Sequence, residues 1–99
     1  MGKSKDDIKV KIEKYLSKAG VKKWSEVYVG IAEDPKDRLF SDHKVKQNGV
    51  WIYCQANSSD CAREVEQELL AKGAKGGPGG GSDNTIYVYA YKTEVYTKQ

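Results

Sequence analysis

Thr85-Ile86-Tyr87-Val88-Tyr89-Ala90-Tyr91-Lys92 alternates without a break: Ile86, Val88 and Ala90 fall on one side, Tyr87, Tyr89 and Tyr91 on the other. A period of two is the signature of a β-strand, whose successive side chains point to opposite faces. Two upstream segments repeat the pattern. In Glu26 to Ala32, Val27, Val29 and Ile31 alternate with Tyr28 and Gly30; in Val50 to Gln55, Val50, Ile52 and Cys54 alternate with Trp51 and Tyr53. Pooled in one sheet, the three strands bury an aliphatic face and gather an unusually aromatic one.

The intervening segments read as helices. Ile8, Ile12, Tyr15, Leu16 and Ala19 make one stripe between Asp6 and Ala19, with acids at its start and Gly20 placed to cap its end. Asp34-Pro35 has the cap and first-turn residues of a second helix, running through Leu39, Phe40 and His43 to about Val45. Asn48-Gly49 is a turn, and Ser58, Ser59 and Asp60 are all placed to cap a third helix from about Asp60 to Lys72. The glycine-rich residues 73–84 predict a flexible loop. They lack the Gly-Lys-Ser/Thr ending and the strand-loop-helix setting of a phosphate-binding P-loop. The expected fold is α+β, a small three-stranded sheet with three helices in the order α-β-α-β-α-β, as a single domain over residues 1–99.

Composition agrees with a folded domain: 38% of the 99 residues are hydrophobic and 31% charged, with the signs mixed. The net charge of +3 is uneven. Residues 1–23, the basic N-terminal helix segment, hold eight lysines against Asp6, Asp7 and Glu13, a net of +5. That segment is open to two readings, a solvated helix face or nonspecific contact with phosphates. No apolar run approaches the roughly 20 residues that span a bilayer, and no signal-peptide core is seen, so no membrane partner is expected. Cys54 and Cys61, with a single histidine, cannot build an ordinary tetrahedral zinc site within one chain. Reduced thiols and a cytoplasmic location are the expectation.

Two polar residues intrude on apolar helix faces. On the third helix Glu66 falls between Ala62 and Leu70, inside the apolar arc, whereas Glu64 and Glu68 point away. A carboxylate aimed at a core costs several kcal/mol unless it is paired, protonated or bound to metal. It either snorkels at the core edge or has a chemical task. His43 sits between Leu39 and Phe40 on the second helix, as a core histidine or as an acid, base or donor. Gly30, unfavourable within a strand, implies close approach by a substrate phosphate or by a packed ring.

Taken together, Tyr28-Val29-Gly30, Arg38 eight residues after the glycine, His43, and Ala62-x-x-x-Glu66 on a later helix resemble the GIY-YIG nuclease superfamily. The match covers about Val27 to Leu70, and Tyr28-Val-Gly-Ile-Ala-Glu-Asp-Pro-Lys-Asp-Arg-Leu is its strongest segment. The resemblance implies a metal-dependent endonuclease that hydrolyses phosphodiester bonds in DNA or RNA. By that resemblance Glu66 is the sole protein ligand of Mg²⁺ or Mn²⁺, and Tyr28, or a tyrosine of the partner strand, orients or deprotonates the attacking water. Arg38 offsets transition-state charge, His43 assists, and Gly30 lets substrate approach.

Three features depart from the family pattern. The opening Gly-Ile-Tyr strand is missing before Tyr28, His43 follows Arg38 by five residues where four is commoner, and only Asn84 offers a late asparagine. Thr85-Ile86-Tyr87 resembles the missing strand. A circular permutation that returns the C-terminal strand beside Val27 to Ile31 would set Tyr87 as the first catalytic tyrosine. Two other functions fit the composition: a non-catalytic binder of single-stranded nucleic acid, stacking bases on the aromatic face, or a protein-interaction domain using that face or its terminal strand.

Overall fold

The computed structural model describes residues 2–76, 85–94 and 97. Its first helix, α1 (Lys5–Lys18), begins where the Ser4 hydroxyl accepts the Asp7 N–H, and Asp6 and Asp7 in the first turn suit the helix dipole. Ile8, Ile12 and Leu16 form its buried stripe. Gly20 then takes φ 91°, which a side chain would resist. After a 3₁₀ turn, β1 (Val27–Ala32) leads to α2 (Pro35–Asp37), β2 (Trp51–Gln55), α3 (Ser59–Ala71) and β3 (Tyr87–Lys92). The class and the element order are those the periodicities predict.

The sheet order is β1-β3-β2, with both pairings antiparallel. The last strand is therefore the central one. It sets Tyr91 opposite both Tyr28 and Trp51, Tyr89 opposite Gly30 and Tyr53, and Tyr87 opposite Ala32 and Gln55. Helices α1 and α3 pack on the aliphatic face, where Val27, Val29, Val88 and Ala90 are buried with Val65 and Leu69. The helix opened by Pro35 covers part of the aromatic face, burying Leu39 and Val45 against Tyr28, Tyr89 and Tyr91.

Two segments depart from expectation. The second helix is not α-helical to Val45. After one capped turn, with the Asp34 carboxylate accepting the Asp37 N–H at 3.1 Å, it becomes a π-helix over Arg38–Asp42. Beyond His43 the chain leaves it through Lys44 at φ 60°. The glycine-rich segment, expected to be a free loop from Gly73, first runs along the outer edge of β1. There Lys75 N–H donates to the Val27 carbonyl at 2.7 Å and Val29 N–H to the Lys75 carbonyl at 2.8 Å. Residues 77–84, including Asn84, lie outside the described residues.

The outer edge of β2 is also covered. Lys3 N–H donates to the Gln55 carbonyl, Asn57 N–H to the Lys3 carbonyl, and Trp51 N–H to the Tyr15 hydroxyl. Covered edges blunt strand-by-strand association. Cys54 and Cys61 are buried free thiols. Among the described residues, no helix is long and apolar enough to cross a membrane.

Candidate active site on the aromatic face

Tyr28 on β1 and Tyr89 and Tyr91 on β3 share one face because each strand alternates and the register aligns their aromatic positions. The Tyr28 ring lies 5.3 Å from that of Tyr91 and 6.5 Å from that of Tyr89. His43, at 5% exposure, drops onto these three rings, its centroid 4.6 Å from Tyr28. Its Nε2 is 2.7 Å from the Tyr89 hydroxyl and its Nδ1 3.2 Å from the Tyr91 hydroxyl. A neutral imidazole donates at one nitrogen and accepts at the other, so His43 joins the two phenols in one directional chain.

The π-helix is what delivers His43 to this place. An α-helix returns to the same side after four residues, but here His43 N–H donates to the Arg38 carbonyl five residues back, at 2.9 Å. The widened turn brings Arg38 and His43, five residues apart, both to the tyrosine cluster. Single π turns are frequent at functional sites.

Arg38 stands at the boundary with solvent, its side chain 48% exposed and 3.3 Å from Asp42. Its guanidinium hydrogen-bonds Tyr89, and that bond is the main reason its pKa rises above the ordinary arginine value. Burial pushes the Tyr89 phenol up to about 12, against the pull of Arg38, and nearby Tyr28 and Glu66 push the same way. Burial likewise raises Tyr91. At neutral pH both phenols are therefore protonated, and neither serves as a base.

Glu66 is half-buried, and burial raises its carboxyl pKa with only Arg63 opposing. It forms no hydrogen bond or ion pair among the described residues. By contrast Glu68, on the far side of α3, pairs with Lys5 and Lys9. Leu70, four residues after Glu66, reaches Gly76 beside the Val29 carbonyl, so this stripe of α3 faces the outer edge of β1. A half-buried carboxylate opposed only by the charge of Arg63 could also accept a hard divalent cation that keeps most of its waters. No cluster of three or more His, Cys, Asp or Glu side chains that could hold a metal ion exists among the described residues.

The predicted residues thus separate into two groups. Tyr28, Arg38 and His43 gather at the Tyr89 phenol by ring contact or hydrogen bond, whereas Glu66 stands apart on α3, which packs on the aliphatic face, and touches this group only through its charge. Tyr87 does not join them. The register sets it opposite Ala32, half-buried with its ring 6.0 Å from Tyr53, beside Glu33 and Asp34. Tyr89 and Tyr91 take the places next to Tyr28, because the pairing is offset from the one that the Thr-Ile-Tyr likeness suggests. At Gly30 the close neighbour is the Tyr89 ring: a Cβ there would overlap its hydroxyl and Cζ. The tyrosine alternation was visible in the sequence, but only the register tells which of the three is central. No protein-family model, curated protein or solved structure matches this chain.

Proposed function

We propose that this domain is a metal-dependent nuclease that hydrolyses phosphodiester bonds in DNA or RNA, a permuted relative of the GIY-YIG pattern its sequence resembles. The supporting observation is the gathering at Tyr89 of three residues which that resemblance singles out, Tyr28, Arg38 and His43, with the half-buried Glu66 carboxyl on α3. The antiparallel placement of β3 beside β1 is the one a permutation requires.

In this reading Arg38, the solvent-facing cation of the cluster, binds the scissile phosphate and offsets the charge that grows on it. Tyr28 orients the attacking water. His43 has each ring nitrogen engaged by a buried phenol, so it is a positioning residue that holds Tyr89 and, through it, Arg38. The Tyr89 hydroxyl keeps its proton and steers the guanidinium. Glu66 would hold a Mg²⁺ or Mn²⁺ ion, which would supply Lewis-acid stabilisation to the charge on the phosphate.

The test is cleavage of labelled single-stranded and duplex DNA and RNA by the purified chain with Mg²⁺ or Mn²⁺. Arg38→Ala is expected to slow cleavage roughly 100-fold, the loss usual for one charge-stabilising donor, and Glu66→Ala to abolish it. Line broadening of NMR signals near residue 66 by Mn²⁺, lost in Glu66→Gln, reads the ion independently of turnover. Absence of cleavage on every substrate, or full activity in Glu66→Ala, refutes the proposal.

A further inference from the structure

The Tyr89 phenol has two hydrogen-bond partners among the described residues, the Arg38 guanidinium and the His43 imidazole. A guanidinium carries donors only, so the Tyr89 oxygen accepts from Arg38. Tyr89 is 1% exposed and keeps its proton at neutral pH, so that proton needs an acceptor within the protein. His43 Nε2, 2.7 Å away, is the atom placed to take it. Nε2 must then be bare. With a proton on Nε2 instead, Arg38 and His43 would both donate to the Tyr89 oxygen, and the phenol proton would be left without a partner in a buried place.

A neutral imidazole with a bare Nε2 carries its proton on Nδ1. The Tyr91 hydroxyl lies 3.2 Å from Nδ1 and accepts there. The imidazole is tilted by 42° to the Tyr91 ring and by 46° to the Tyr89 ring, so neither phenol lies flat against it. Tyr91 itself is 0% exposed on the central strand, paired on one side with Tyr28 and on the other with Trp51. It is a fixed point against which the histidine can be set. Donation then runs in one direction, from Arg38 to Tyr89, from Tyr89 to His43 and from His43 to Tyr91, and bonds in such a chain strengthen one another.

We propose that Tyr91 is a positioning residue: its hydroxyl holds the His43 proton on Nδ1, which turns the Tyr89 hydroxyl toward Nε2 and keeps the Tyr89 oxygen open to Arg38. Tyr91 touches neither Arg38 nor any substrate. It acts through two other side chains, and the resemblance to the nuclease pattern gives it no role. The proposal rests on the nuclease reading only in making the aim of Arg38 matter for a phosphate.

The test is nitrogen-15 NMR of the untagged chain labelled in histidine, at neutral pH. His43 is the single histidine, so both ring-nitrogen signals are its own. Nδ1 is expected at the shift of a protonated nitrogen and Nε2 at that of a bare one. In Tyr91→Phe the proton is expected to move at least in part to Nε2. The Arg38 guanidinium protons should then exchange with solvent roughly tenfold faster, the effect of losing one ordinary hydrogen bond. Tyr87→Phe removes a phenol outside the cluster and is expected to change neither signal. A proton on Nε2 of the parent, or on both nitrogens, overturns the proposal with no variant needed, so it stays testable should Tyr91→Phe unfold. An unchanged tautomer or unchanged Arg38 exchange in folded Tyr91→Phe overturns it too. Cleavage is read separately. The expected tautomers without cleavage on any substrate would keep the role of Tyr91 and refute the nuclease; cleavage by a chain protonated on Nε2 would do the reverse.

Discussion

Gly30 and Tyr89 face one another across β1 and β3, and the missing side chain of the first is what admits the ring of the second. Gly30→Ala forces Tyr89 off the strand and away from His43. The expected cost is about 1–3 kcal/mol, as for other overpacked cores, read as a lower urea midpoint with unchanged m-value. Glu66 makes a different prediction. Its folded pKa is raised by burial, so the folded state binds its proton more tightly than the unfolded one. Its stabilising contribution is present below the unfolded value near 4.5 and is lost as pH rises through the folded value. Glu66→Gln should therefore unfold at a higher temperature than the parent at pH 7, and the difference should vanish in acid. A constant difference across pH would show that desolvation of this carboxylate is not the cause.

The element that decides the site is the π turn. Its hydrogen bond spans five residues, from His43 back to Arg38, so removing one residue between them should restore an ordinary α turn. Ser41 is exposed and takes no part in the cluster. Its deletion is expected to change stability by about 1 kcal/mol or less, in the range of surface substitutions, with His43 still close to Tyr89 by NMR contacts. Deletion of buried Leu39 should instead unfold the domain. The helix periodicity of Leu39, Phe40 and His43 was legible in the sequence. The π turn was legible only as a spacing anomaly, because a single inserted residue leaves propensity and hydrophobic pattern almost unchanged.

For the whole molecule, placing the C-terminal strand at the centre buries Tyr89 and Tyr91 together, 1% and 0% exposed. Both phenols resist ionisation in the fold, Tyr89 up to about 12. A raised folded pKa means that stability is intact below the unfolded value near 10 and falls as pH climbs toward the folded one. For Tyr89 alone a rise from 10 to about 12 removes about 2–3 kcal/mol. The protein should thus lose its structure cooperatively as pH climbs above 10, with tyrosinate absorbance and far-ultraviolet circular dichroism changing together. Tyr89→Phe should shift that transition to higher pH. Tyrosine ionisation well before the loss of circular dichroism would contradict the buried chain.

The sequence alone determined the kind and order of the elements, since strand alternation, helix stripes and caps are local properties of a dozen residues or fewer. It also determined that strand faces divide into aliphatic and aromatic, and that Glu66 and His43 stand where apolar residues usually do. Only the tertiary structure decided that the last strand lies between the first two, that Tyr89 and Tyr91 rather than Tyr87 meet Tyr28 and His43, and that Lys75 seals the edge of β1. Those outcomes depend on register and strand order. Both are set by the joint burial of side chains dozens of residues apart, which no local window of the chain contains.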